Sequence, residues 1–272
     1  MRKRDRILKI QELVIAQGEV HVSDLAETFQ VSSVTIRDDL DEMASGGKLQ
    51  RVRGGARLKD SVEQTFFSRS ILRPEITDFS PDKLYVAQLA GMLVCDNEWI
   101  FIGCGETCAA VAQALLDRRV NVVTNNIMAA AILALNVNAS VCMPGGNLSG
   151  YDRHFLSGDI LNRSMSLLRV KYAFFGVSGA EFSAGFTCSS PYERGVFEAV
   201  RGVADCTVIV MGSEKFGIKS FMRIAGLGDV NMIMSDEGMP CEYRRHFASL
   251  GVAAAASPGD IAGLAGGSAS RK

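Results

Sequence analysis

From Trp99 to Gly238, short apolar runs alternate with stretches of helical periodicity, and nothing else in the chain limits the fold as strongly. The runs are WIFIGCG (99–105), VNVVTNN (120–126), ASVCMPGG (139–146), YAFFGVSG (172–179), DCTVIVMG (205–212) and VNMIMSDEG (230–238). CAAVAQALLD and IMAAAILALN lie between them with helical spacing. Strands that apolar need cover on both faces, and interleaved helices supply it. The reading is an α/β domain with an open, mostly parallel sheet and helices on both sides. Ligands of such sheets bind beyond the carboxyl ends of the strands. Those ends carry the candidate effector residues: Gly105, Glu106 and Thr107 after the first run, Asn125 and Asn126 after the second, Gly145 and Gly146 after the third, and Lys215 after the fifth. Glycine permits close backbone approach, a helix N-terminus offers N–H groups to an anion, and Lys215 is a point charge for a phosphate. Each also has a plainer reading. A glycine can simply turn the chain, Asn125 or Asn126 can cap a helix, Glu106 suits a helix dipole, and Lys215 can be a surface lysine. GCGETC lacks the spacings of dinucleotide and P-loop sites.

The first sixty residues have a different character. Ile7, Ile10, Leu13 and Val14 mark one face of a helix that Gly18 stops. Ser23 is positioned to cap a second helix with Leu25, Ala26 and Phe29 facing inward. After a break at Gln30-Val31-Ser32, Ile36, Leu40 and Met43 share one face of a third helix that ends near Ser45-Gly46-Gly47. Two short helices across a tight turn form a helix-turn-helix, whose second helix enters the DNA major groove by its N-terminal part. Its outward residues are Val34, Arg37, Asp38 and Asp41, with Ser33 and Thr35 in the first turn. Ser and Thr hydroxyls suit bases or phosphates, Val and Thr methyls suit thymine, and Arg suits guanine or phosphate. KLQRVRGGARLK (48–59) follows, with five basic residues and no acidic one. It reads as a β-hairpin wing that presents Arg51 and Arg53 to a phosphate backbone. A solvated charged hairpin on a small helical domain is the bland alternative.

A net charge of −1 over 272 residues requires nucleic-acid binding to come from a local patch. Hydrophobic residues, at 47%, suffice for a sizeable core. The seven cysteines lack CxxC pairs and fit reduced, mostly buried thiols in a cytoplasmic protein. Neither a signal peptide nor an apolar run of membrane-spanning length is expected. The cysteines and three histidines lack ligand spacing, so neither metal nor cofactor is expected. Residues 1–58 read as the DNA-binding domain, 59–82 as a linker interrupted by Pro74 and Pro81, 83–254 as the sensing domain, and 255–272 as a solvated Ala/Gly/Ser tail.

HVSDLAETFQVSSVTIRDDLDEMASGGKLQRVRGGA resembles the winged helix-turn-helix signature of the DeoR family of bacterial transcriptional regulators. VVTNN, VCMPGGNLSG, FFGVSGAEFSAGFT and EKFG are similar, in order and spacing, to that family's effector domain, whose fold resembles sugar-phosphate isomerases. The resemblance implies a repressor of a carbohydrate operon that senses a phosphorylated sugar or related metabolite. The chain departs from the family pattern at Asp38 (usually Arg), Gly103 (Asp), Glu106 (Thr), Gly212 (Asp) and Phe197 (Lys). Glu106 would repel a phosphate unless a cation pairs with it.

Two further functions stand beside the regulator. An isomerase-like enzyme needs a carboxylate base, and Glu106, Glu181 and Glu214 are the acids near the expected loops. No catalytic constellation is legible in their spacing. A scaffold would need no pocket, and no metabolite would stabilise it against heat. For a regulator the expected partners are double-stranded operator DNA, a small effector and a second copy of the chain, because one short helix reads too few bases.

Overall fold

The computed structural model describes residues 3, 6, 7, 9, 10, 13, 14, 19–45, 49–58, 78–148 and 154–267. Two compact units meet in sequence between Arg73 and Pro74. The expected linker lies largely outside the described residues. Its last residues, Pro81 and Asp82, already belong to a helix.

In the first unit, helix α1 spans Val22–Phe29 and α2 spans Ser33–Ser45. Gln30 closes α1 in the left-handed region, at φ 51°. Its side chain tolerates that conformation at some cost, and the turn it makes sets the angle between the helices. Ser32 caps α2: its Oγ accepts from Thr35 N–H at 3.1 Å and shares a hydrogen bond with Thr35 Oγ1 at 2.9 Å. Ser23 does not cap α1, as its spacing suggested. His21 holds the cap position without a side-chain bond, and the Ser23 hydroxyl donates to Asp24. The expected apolar stripe is the core: Ile10 and Val14 of the N-terminal helical residues pack with Leu25, Ile36, Leu40 and Met43. Asp39 lies in the same interior and binds Arg6, with the two side chains only 1% and 8% exposed.

The wing holds one strand more than the hairpin read from sequence. β1 (Glu19–His21), β2 (Leu49–Val52) and β3 (Gly55–Leu58) form an antiparallel sheet in the order β1-β3-β2. A Cβ on Gly55 would stand 2.0 Å from Val20 O, so glycine is what lets β1 close on β3. Arg53 sits in the turn with Gly54 rather than at the end of β2.

The second unit is built on a seven-stranded sheet, wholly parallel, in the order β13-β12-β10-β7-β4-β5-β6. Its strands are β4 (Trp99–Ile102), β5 (Asn121–Thr124), β6 (Ser140–Cys142), β7 (Val170–Phe175), β10 (Ala204–Val210), β12 (Met232–Met234) and β13 (Ala253–Ala255). Helices α3 (Pro81–Leu93), α4 (Glu106–Ala114) and α5 (Ile127–Leu133) pack side by side along one face. The other face carries the core of Phe101, Ala173, Phe175, Ile209 and Ile233, covered by α6 (Asp159–Met165), α7 (Pro191–Arg201) and α8 (Cys241–Ser249). The chain leaves β4 toward β5 and β6, then returns to add β7 on the other side of β4. Because crossovers are right-handed, this reversal sends successive helices to opposite faces and opens a crevice between the ends of β4 and β7.

Two features depart from the sequence reading. β8 (Gly179–Glu181), β9 (Gly185–Cys188) and β11 (Met222–Ala225) form a separate antiparallel sheet. The expected solvated tail instead begins in β13 and continues as α9 (Pro258–Gly267), with Ile261 buried. The Asp260 carboxylate accepts from Ala256 N and Ser257 N at 2.9 and 3.0 Å, and these bonds fix the start of α9. Residues 268–272 lie outside the described residues.

Candidate functional sites

The recognition helix α2 presents Ser33, Val34, Arg37 and Asp38 to solvent. Val34 is 62% exposed, so its methyl groups are open to a partner. Thr35 is half-buried, and its hydroxyl is engaged by Ser32. Asp41, also exposed, binds Arg51 Nε at 2.8 Å, while Arg51 Nη1 donates to Gly55 O at 2.6 Å. Arg51 therefore ties the wing to α2, which leaves it fewer donors for a phosphate than the sequence suggested. Arg53 stands exposed at the turn of the wing.

In the second unit a cavity of about 290 Å³ opens at the β4/β7 switch point. It lies at the lower edge of the roughly 300–1,000 Å³ usual for ligand pockets, which suits a compact ligand. Of the residues singled out from sequence, Gly105, Glu106, Thr107, Asn126 and Lys215 line it together. Gly105, at φ +95°, lets the chain turn straight from β4 into α4. Asn126 unites two loops. Its Nδ2 donates to Gly103 O and Gly105 O, each at 3.0 Å, and its Oδ1 accepts from Met128 N and Ala129 N at the start of α5.

Asn125, Gly145 and Gly146 are not part of the lining. Asn125 Nδ2 donates to Leu156 O, and a Cβ on Gly146 would meet Ser157 O at 2.7 Å. Asn125 and Gly146 thus hold Leu156 and Ser157 behind the cavity, to which His154 and Phe155 contribute directly, while Gly145 faces Ile160. Sequence reasoning did not select His154, Phe155, Lys83, Cys104, Ser178 or Glu193, all of which line the cavity. Lys83 comes from α3 and carries no local signal; Glu193 is legible only as the capping-box acid of α7, Ser190-Pro191-Tyr192-Glu193, not as a cavity residue. Ser178 lay in an expected strand-end loop and was available to the reading.

Lys83 pairs with Glu106, which supplies the cation that the sequence argument required. Glu193 accepts from Ser190 N–H at 3.2 Å and from the Cys104 thiol at 3.2 Å. Burial, then the Glu193 charge, holds the Cys104 thiol far above its ordinary pKa; burial pushes Cys108 up to about 12. Both therefore stay as thiols, a poor basis for a nucleophile. Glu181 is not in the lining. Its carboxylate accepts from Ser183 and from Ala184 N–H, and these bonds lower its pKa to about 2. That is the behaviour of a turn-holding carboxylate rather than a proton shuttle. At Gly212, where relatives were expected to carry Asp, the Glu214 Oε2 lies 2.0 Å from the place a Cβ would take. A carboxylate thus returns to that space from two residues along the chain.

A winged helix-turn-helix with an exposed recognition face, in one chain with a sensor fold that holds a cavity at its switch point, defines a DNA-binding transcriptional regulator. Residues 6–62 match the DeoR-like helix-turn-helix domain and residues 79–237 the DeoR C terminal sensor domain, and the chain belongs to the DeoR family. It is similar to the uncharacterized HTH-type transcriptional regulator YulB of Bacillus subtilis (29% identical; 86% of this chain and 89% of that one). It is similar to the lactose phosphotransferase system repressor of Staphylococcus epidermidis (27%; 87% and 93%) and the glycerol-3-phosphate regulon repressor of Escherichia coli (29%; 88% and 93%). Among solved structures, ribose 5 phosphate isomerase A of Neisseria gonorrhoeae aligns at a TM-score of 0.36 and 15% identity over 49% of this chain and 52% of that one. Among the described residues, no helix is long and apolar enough to cross a membrane.

Proposed function

We propose that this protein is a cytoplasmic repressor of a carbohydrate operon, and that a phosphorylated sugar in the switch-point cavity controls its hold on operator DNA. The observation that carries the reading is that Lys83, paired with Glu106 in the opening turn of α4, and Lys215 line the same cavity. Two cations in a cavity that opens beside a helix N-terminus suit a phosphate, while Glu193 and Ser178 on the same wall supply partners for sugar hydroxyls. The relatives named for lactose phosphotransferase and glycerol-3-phosphate systems support the same chemistry. The α2 residues Ser33, Val34, Arg37 and Asp38 would read bases, with Thr35 set by its Ser32 bond and Arg53 on the phosphates. Two copies of the chain would present two such helices to successive half-sites.

A ligand shifts DNA binding only by favouring one arrangement of the chain over another, so both activities must be read on one protein. Genome-wide recovery of bound fragments gives the operator, and calorimetry against sugars and sugar phosphates gives the effector. Arg37→Ala is expected to weaken operator binding by about 1–3 kcal/mol if it grips a base. Lys215→Ala is expected to keep DNA affinity and blunt the effector response. Wild-type response of Lys215→Ala to every active sugar phosphate overturns the assignment of the cavity.

A further inference from the structure

Lys83 lies in the opening turn of α3, the first described helix of the sensor unit, and Glu106 in the opening turn of α4, which packs beside it. Their side chains form an ion pair on the cavity wall. We propose that the effector's phosphate competes with Glu106 for Lys83, and that this competition selects dianionic ligands over singly charged ones. The inference rests on the reading that the cavity takes the effector.

Three observations carry it. First, the pair is accessible: Lys83 is 28% and Glu106 62% exposed in their side chains. A solvated pair of this kind is held weakly, so a ligand can break it at small cost. Second, the other cavity cation has its own carboxylate neighbour, with Lys215 Nζ 3.9 Å from Glu214 Oε1. The cations of the wall thus face acids of the same chain. A ligand with one negative charge only exchanges one carboxylate for another at Lys83. A phosphate dianion brings more charge and three acceptor oxygens, and outcompetes the acid. Third, Glu106 lines the same wall as Asn126 and Thr107, so once displaced its charge would oppose the incoming anion. Glu106 therefore sets a threshold, and Lys83 registers that the threshold has been passed. It does so on the helix nearest in sequence to the segment that joins the two units.

Calorimetry on the full-length protein tests this with glycerol 3-phosphate, ribose 5-phosphate and fructose 6-phosphate, each beside its unphosphorylated parent and a singly charged sugar acid (glycerate, ribonate or gluconate). Wild type is expected to prefer the phosphate to the acid, and equal affinity for the two overturns the selection. For the tightest phosphate, Glu106→Gln is expected to bind about fivefold more tightly than wild type, the scale of one solvated charge pair. Lys83→Gln is expected to bind at least about tenfold more weakly, since it leaves Glu106 unpaired beside the anion. The double variant should fall between Lys83→Gln and wild type, and circular dichroism checks that all three fold. If Glu106→Gln binds no more tightly than wild type while Lys215→Ala still loses affinity, the competition is refuted and the cavity assignment stands. If no phosphate binds wild type better than its parent, both fall together.

Discussion

The Asn126 side chain works at both ends. Its Oδ1 caps α5, and its Nδ2 holds Gly103 O and Gly105 O, the two carbonyls that shape the loop before α4. An acceptor at one end and a donor at the other is a pattern only an amide of this length provides here. Asn126→Ala is expected to cost about 1–3 kcal/mol from the lost cap and the unpaired carbonyls. Asn126→Asp is more telling. It preserves the cap but sets a carboxylate oxygen against two carbonyls, so it should loosen the loop and depress effector affinity while α5 remains formed. Thermal melts with and without ligand check this, and wild-type ligand stabilisation in Asn126→Asp would refute the role of the amide.

At the scale of elements, the recognition helix is held from three sides. Ser32 caps its start, the Ile36/Leu40/Met43 stripe fills the core, and Arg51 bonds Asp41 from the wing. Between them Asp39 is buried against Arg6. A buried pair contributes little against apolar residues of equal size, but the loss of one partner strands a charge in the interior. Asp39→Ala is therefore expected to destabilise the first unit by about 3–5 kcal/mol, and Arg6→Met with Asp39→Leu to restore most of it. Denaturant titration followed by helical signal measures both. A single Asp39→Ala change that costs no more than an exposed aspartate would show the pair to be dispensable. Arg6 and Asp39 each sit in a run of charges and gave no hint of this in sequence, because they lie 33 positions apart.

For the molecule as a whole, the two units have separate cores, so each carries its own stability. A fragment of residues 74–272 is expected to fold and to keep the effector affinity of the full chain, while losing salt-sensitive binding to operator DNA. Sedimentation of the same fragment reports whether the sensor unit alone assembles. If the fragment is unfolded, or folds without ligand affinity, the division of labour between the units is wrong. Ligand should raise the melting temperature of the fragment as much as that of the intact chain, because the stabilisation depends on affinity and concentration alone.

Local periodicity was enough to read the parallel strands, the helix-turn-helix and the loops at strand ends, since each depends on residues within a few positions of one another. Gly105, Glu106, Thr107, Asn126 and Lys215 were legible for that reason: they stand where strands of a predictable layer end. β1 was not, because its pairing depends on Gly55, more than thirty residues away. The tail that became α9 was hidden by its small residues, whose role appears only once Asp260 binds the chain before it. The place of Lys83 and Glu193 at the cavity, and the Arg6–Asp39 pair, were decided by tertiary structure alone. Charged side chains are soluble by default, and only the fold determines which of them meet.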